Sequence, residues 1–275
     1  MPLNALSIDL EDWYHVCGEG SHSDPRKWDE YESRVTRNTE KILHLLRVHG
    51  SKATFFVLGY IAEKNPSLVR AISDNGHEVG IHGYFHRRVF DMTGPEFEED
   101  LVKSKDVVES ITGKSVLGYR APEWSIRKNT LWALDIIKKV GLAYDSSTVP
   151  LTRMGERDFK KFPHTVQTRF GLLQEFPLTT FRCFWENLPF TGGLPLRIAP
   201  YWFVLLSIKG LNNKGLPALV YTHPWEFDNE QPKIDLSFSR RFMHYFNLKS
   251  ARPKIEGLLK NIKFSPLKDV LGIEG

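Results

Sequence analysis

The stretch Glu78-Val79-Gly80-Ile81-His82-Gly83-Tyr84-Phe85-His86 sets two imidazoles four residues apart behind a short apolar run. Two imidazoles on one side of the chain can share a divalent ion. On a helix this spacing puts them on one face, whereas on a straight strand it leaves them roughly 13 Å apart, too far for a single ion. Gly83 resolves the conflict: a strand ends at His82, the chain turns at Gly83, and His86 returns beside it. Ten histidines in 275 residues produce such a pair about 0.36 times by chance, so its meaning must come from the rest of the chain. A second cluster is Asp9-Leu10-Glu11-Asp12, three carboxylates in four residues. They are costly at a strand end unless a cation or a reaction uses them.

The elements that must position these groups follow a regular order. Ala5 to Leu10 reads as a buried strand, and Gly18 to Trp28, rich in Gly, Ser, His and Pro, as a loop. Val35 to Val48 has helical periodicity, with Thr39, Ile42, Leu43 and Leu46 on one stripe and Gly50 as the stop. Lys52 to Leu58 is an apolar strand, Pro66 to Asp74 a helix, and the His82 strand follows. Thr93-Gly94-Pro95-Glu96 is a capping box opening a helix to about Ile111. Ser115 to Tyr119 is a strand delivering Arg120-Ala121-Pro122-Glu123-Trp124; a helix over Asn129 to Val140 precedes the strand Leu142 to Tyr144, which delivers Asp145-Ser146-Ser147. Strands alternating with helices predict a parallel α/β sheet, and polar residues just past strand ends are where active sites of such sheets sit.

Residues 150–195 break the rhythm with five prolines and one expected strand, around Leu172 to Phe176, and read as an irregular insertion within a single domain spanning 1–275. Leu196 to Leu211 reads as one helix and Leu216 to Tyr221 as a strand delivering Thr222-His223-Pro224-Trp225-Glu226; helices are expected over Phe238 to Phe246 and Ala251 to Ile262, with a last short strand from Phe264.

A hydrophobic fraction of 41% is ample for a core, and 37 basic against 33 acidic residues, without runs, give no nucleic-acid footprint. Cys17 and Cys183 form neither a disulfide framework nor a thiolate knuckle. The opening residues have no basic, apolar leader, and no window is long enough to span a membrane, so a reduced, cytoplasmic setting is expected. Pro200 to Leu211, the most apolar window of the later half, suits a buried or surface-lying helix, with peripheral membrane contact as the alternative.

Taken in order, IDLED, HGYFH, RAPEW, YDSS and YTHPWE resemble the five motifs of the polysaccharide deacetylase family, the carbohydrate esterases with a NodB-type domain. The likeness runs from Ala5 to Glu226 and is nearest the subgroup of bacterial exopolysaccharide and O-antigen clusters. It implies a distorted, incomplete seven-stranded (β/α) barrel and removal of N-acetyl groups from amino sugars. It also implies a divalent ion on His82, His86 and a carboxylate, with zinc favoured and cobalt, nickel or iron accepted. Either Glu11 or Asp12 supplies that carboxylate, Glu11 being favoured because it shares a strand face with Asp9.

By the same resemblance Asp9 is the catalytic base, Arg120 its ionic partner, His223 the general acid, and Asp145 the group raising the basicity of His223. The metal and a backbone N–H after the fourth strand would stabilise the oxyanion. Trp13, Tyr14, Trp124 and Trp225 are expected to stack on sugar rings, or else to pack in the core, and for His15 lining of the cleft is the lesser alternative to a surface or core position. The expected partner is an N-acetylated oligo- or polysaccharide. Two rivals stand beside this reading: an amide or cyclic-imide hydrolase of the same fold acting on a small molecule, and a non-catalytic carbohydrate-binding protein.

Overall fold

The computed structural model describes residues 2–18, 23–152 and 154–274. Its strands are β1 (Asn4–Leu10), β2 (Thr54–Val57), β3 (Glu78–Ile81), β4 (Gly118–Tyr119), β5 (Tyr144–Asp145), β6 (His164–Thr168), β7 (Gly171–Glu175), β8 (Thr180–Cys183), β9 (Glu186–Pro189), β10 (Leu219–Thr222) and β11 (Phe264–Ser265). The main sheet runs β10-β1-β2-β3-β4-β5-β7-β6. From β10 to β7 its seven strands are parallel; β6 pairs antiparallel with β7 at one edge, and β11 pairs with the start of β1. β7 and β10 do not pair, so the curled sheet is an incomplete barrel. The gap is filled by the chain on either side of the β8–β9 hairpin: Leu178 N–H donates to Thr148 O, and Tyr221 N–H donates to Thr191 O.

Strand alternation decides which side chains reach the interior. Along β1, Leu6, Ile8 and Leu10 join the large core between sheet and helices, while Ala5 joins a second cluster inside the barrel with Phe56, Tyr144, Phe176 and Leu219. Ser7 and Asp9 share the inward parity of Ala5 and meet Arg120 there. Two inward glycines leave room for aromatic rings: a Cβ at Gly118 would lie 2.0 Å from the Tyr144 ring, and one at Gly80 would lie 2.9 Å from Phe56.

The helices are α1 (Val35–Val48), α2 (Gly59–Lys64), α3 (Pro66–Asp74), α4 (Gly94–Thr112), α5 (Trp132–Lys139), α6 (Gly193–Ile198), α7 (Tyr201–Asn212), α8 (Phe238–Tyr245), α9 (Ala251–Asn261) and α10 (Leu267–Leu271). α1, α3 and α4 lie where periodicity and capping put them, and the Thr93–Glu96 capping box forms. Three expectations need correction. The helix read over 196–211 is two helices, because Ala199 and Pro200 adopt extended backbone between α6 and α7. The insertion read as irregular holds β6 to β9, two hairpins whose exposed faces dilute the apolar signal. Of the loop read over Gly18 to Trp28, residues 19–22 lie outside the described ones, and Asp24 caps a 3-10 turn over Pro25–Glu30. Among the described residues no helix is long and apolar enough to cross a membrane.

Gly83 turns the chain out of β3 with φ 75°, and a Cβ there would meet Asp100 Oδ2 at 2.9 Å. Gly83→Val should therefore lower unfolding stability by at least about 1–2 kcal/mol, the cost of a left-handed non-glycine residue. Urea denaturation measures it, and an unchanged midpoint would contradict the turn geometry.

Candidate active site

Beyond the carboxyl ends of β1, β3, β4 and β10 the predicted groups converge. His82 follows β3 directly, its Nδ1–H donating to Arg120 O at 2.7 Å. That bond leaves Nε2 as the free lone pair, 3.0 Å from Glu11 Oε1. After the Gly83 turn, His86 adopts φ 53° and brings its own Nε2 within 2.9 Å of the same oxygen. A left-handed histidine is held against about 1–2 kcal/mol of backbone preference. Cys17 holds it: its S–H donates to His86 O at 3.1 Å, and its sulfur lies 3.3 Å from His86 Nδ1. The sequence reading passed over this cysteine, whose contact is with a ring nitrogen 69 residues away.

Glu11, His82 and His86 are all buried, and each offers one ligand atom to a common point. Four-coordinate zinc, with ligands at about 2.0–2.1 Å, separates its donors by roughly 3.3 Å, so the two Glu11–imidazole separations of 3.0 and 2.9 Å need widen by only a few tenths of an ångström. Two imidazoles and a carboxylate fit a divalent ion. Burial works against the Glu11 charge, yet His86 and His223 nearby hold its pKa well below the usual value. Burial likewise opposes the His86 cation, while Cys17 and Glu11 push its pKa well above the ordinary range.

Asp12 is elsewhere. It accepts from Ser33 Oγ at 2.8 Å, Arg34 N at 2.7 Å and Val35 N at 3.1 Å, anchoring the start of α1. The chain turns directly after β1, where Glu11 N–H donates back to Asp9 O, and this turn separates the two carboxylates that sequence left as alternatives.

Asp9 forms a buried ion pair with Arg120, Nη1 to Oδ1 at 2.6 Å. The guanidinium also donates to Ser7 Oγ, Ser146 O and Ser146 Oγ, and lies between the rings of Phe56 at 4.3 Å and Trp124 at 4.4 Å. Across the site His223 Nε2 stands 3.9 Å from Asp9 Oδ2. Its Nδ1 faces Glu226 Oε2 at 3.1 Å. Burial disfavours the His223 cation, but Glu11, Glu226 and Asp9 push its pKa up to about 9.

Asp145 does not touch His223. It accepts from Ser147 N and Oγ and lies beside the buried Glu175, whose pKa is raised well above the carboxylate range by burial and by Asp145. The first two amides after β4 are committed, Arg120 N–H to Ile81 O and Ala121 N–H to Ser147 Oγ, which leaves the expected oxyanion donor to an amide further along this loop. The aromatic expectations resolve towards packing. Trp13 and Tyr14 are buried with Tyr31, Trp124 covers Arg120, and Trp225 has both faces occupied, by His223 at 4.9 Å and His244 at 4.2 Å. His15 is buried against Trp28 and accepts from Asp12 N. Sequence reasoning missed Glu226, Arg197 and His244. Glu226 alone had a signal, three residues after His223 in HPWE.

Residues 27–144 match the polysaccharide deacetylase family. The likeness to that family covers 118 of the 275 residues, less than half of the chain. Residues 146–272 match a domain of unknown function, DUF3473. A peptidoglycan-N-acetylglucosamine deacetylase of Bacillus cereus is 30% identical over 122 residues, 40% of this chain and 44% of that protein. A peptidoglycan deacetylase of Helicobacter pylori is 36% identical over 107 residues, 39% of this chain and 36% of that one. The chain thus spans less than half the length of either relative. Among solved structures, one described as a probable polysaccharide deacetylase of Pseudomonas aeruginosa has a TM-score of 0.64 at 15% identity, covering 98% of this chain and 89% of its own, a likeness of fold.

Glu11→Gln should abolish tight binding of a divalent ion in equilibrium dialysis, while Asp12→Asn should retain binding and lose about 1 kcal/mol of stability as a weakened helix anchor. Loss of the ion from Asp12→Asn would reverse the assignment. Titration of His223 gives a further expectation. Its pKa is raised on folding, so the stabilisation is complete below the unfolded value of about 6.5 and is lost as pH climbs through about 9. The metal-free protein should melt at lower temperature across that window, and His223→Gln should flatten the decline.

Proposed function

We propose that the chain is a metal-dependent hydrolase removing N-acetyl groups from amino sugars of a bacterial surface polysaccharide or its precursor. One observation carries this reading: His223 Nε2 faces Asp9 Oδ2 at 3.9 Å beside the three converging donors Glu11, His82 and His86. Proton acceptor, proton donor and cation site therefore border one space. The names of the relatives, deacetylases of peptidoglycan and chitooligosaccharide, support the substrate class. The reading takes residues 1–275 as one domain, since Asp9, Glu11, His82 and Arg120 come from before residue 144 and His223 from after it.

Zinc suits the donor set and supplies Lewis acidity to the acetyl carbonyl when bound. Asp9, paired with and aimed by Arg120, takes a proton from the attacking water as the new C–O bond forms. His223 gives a proton to the amide nitrogen as the C–N bond breaks, releasing amine and acetate. The 3.9 Å between Asp9 and His223 lets the proton return to the histidine through one water.

Acetate release from N-acetylated chitooligosaccharides, measured with zinc restored, tests the reading. Asp9→Asn should remove turnover by at least about 10²-fold while metal content stays at the wild-type level. Turnover of a cyclic ureide with no acetate from any glycan would overturn the substrate class, and full activity in Asp9→Asn would overturn the base.

A further inference from the structure

The two oxygens of Glu226 face different partners. Oε2 accepts from Thr222 Oγ1 at 3.0 Å and from His223 N at 3.1 Å, and lies 3.1 Å from His223 Nδ1. Oε1 lies 2.9 Å from Arg197 Nε in an ion pair whose two side chains are almost completely buried. Arg197 is tied in turn to α8: its Nη1 donates to His244 O and Phe246 O, and its Nη2 to Met243 O. Those carbonyls end the helix, where the macrodipole is negative and a guanidinium is welcome. The ring of His244, on the same helix, stacks on Trp225 at an interplanar angle of 12°, and Trp225 stacks on His223 at 20°. His223 is thus fixed by an edge contact to Glu226 and a face contact to Trp225.

We infer that Glu226, braced by Arg197, is the positioning residue that holds the proton of His223 on Nδ1 and turns Nε2 towards Asp9, and that bracing this pair is the task of α6 and α8 in the segment of unknown function. The inference rests on the reading of His223 as proton donor. A carboxylate on one imidazole nitrogen fixes the tautomer and leaves the other nitrogen to exchange protons with the reaction. Sequence reasoning gave this role to Asp145, which is engaged with Ser147 instead. A carboxylate as buried as Glu226 keeps its charge only with a partner, and Arg197 is that partner. No residue of this relay lies before residue 146: Arg197, His223, Trp225, Glu226 and His244 all come from the later segment.

Two substrates separate positioning from mere structure. Expulsion of an amine from an N-acetylated chitooligosaccharide needs a proton, whereas 4-nitrophenyl acetate releases a stable phenolate without one. Glu226→Gln, close in size and retaining an oxygen for Thr222, should lower kcat on the amide by about 10–100-fold, with KM and metal content unchanged, and leave the aryl ester within about twofold. The double variant with His223→Ala should be no slower than His223→Ala alone, because both remove one function. Arg197→Met should follow Glu226→Gln in direction. Equal losses on both substrates, or additive losses in the double variant, would reduce Glu226 to a structural role. Ring ¹⁵N shifts of His223 decide the matter without turnover: Nδ1–H should dominate the neutral imidazole of the wild type and decline in Glu226→Gln. If the wild type hydrolyses neither substrate while these shifts hold, the deacetylase reading fails and the positioning survives. Shifts that ignore Glu226→Gln would overturn the positioning itself.

Discussion

The ion pair between Arg120 and Asp9 is the contact on which the rest of the site depends. Both side chains are withdrawn from water, so each charge is tolerable only through the other and through the hydroxyls and carbonyl around the guanidinium. Satisfying Arg120 fixes the order of the surrounding layers. Ser7 must face inward on β1, Ser146 must follow β5, and Phe56 and Trp124 must offer their faces on either side. The backbone of the same arginine accepts from His82, so one residue orients the carboxylate through its side chain and an imidazole through its carbonyl.

The parts of this arrangement that sequence made legible are those encoded locally. Parity along Ala5 to Leu10, the Thr93 capping box and the Gly83 turn each depend on a few neighbouring residues, and strand-end motifs in a fixed order pointed to Asp9, His82, His86, Arg120 and His223. Glu11 against Asp12 stayed open because it depends on where β1 stops being straight, a matter of one turn after Asp9 that no periodicity reports. Stacking against packing stayed open for Trp13, Tyr14, Trp124 and Trp225 for a related reason: an aromatic beside a motif carries no sign of what covers its faces. Cys17 and Arg197 act through partners far along the chain, and only folding brings them together.

Of the five non-glycine residues with left-handed backbone among the described ones, three lie beside the proposed site. His86, Glu123 and Trp124 have φ between 51° and 54°, in the left-handed region that side chains other than glycine seldom occupy. Each lies a few residues past a strand that delivers a site residue, and each has a contact nearby that holds it, His86 with Cys17, Glu123 with Arg240 at 2.9 Å and Trp124 with Arg120. Rigid strands thus hand over to short, tightly held turns, which fix the side chains better than mobile loops could.

The two matched segments meet between Tyr144 and Ser146, at the end of β5. That boundary crosses a dense hydrogen-bond network, for Ser146 receives the Arg120 guanidinium and Ser147 receives the amide of Ala121. Inheritance is constrained accordingly. A recombinant joining residues 1–145 to a foreign second segment would keep Glu11, His82 and His86 yet lose the Ser146 hydroxyl that helps seat Arg120 and the Ser147 hydroxyl that takes the Ala121 amide, unless the newcomer brought its own pair of serines. Side chains on either side of the seam must therefore fit one another at Arg120, Ala121, Ser146 and Ser147.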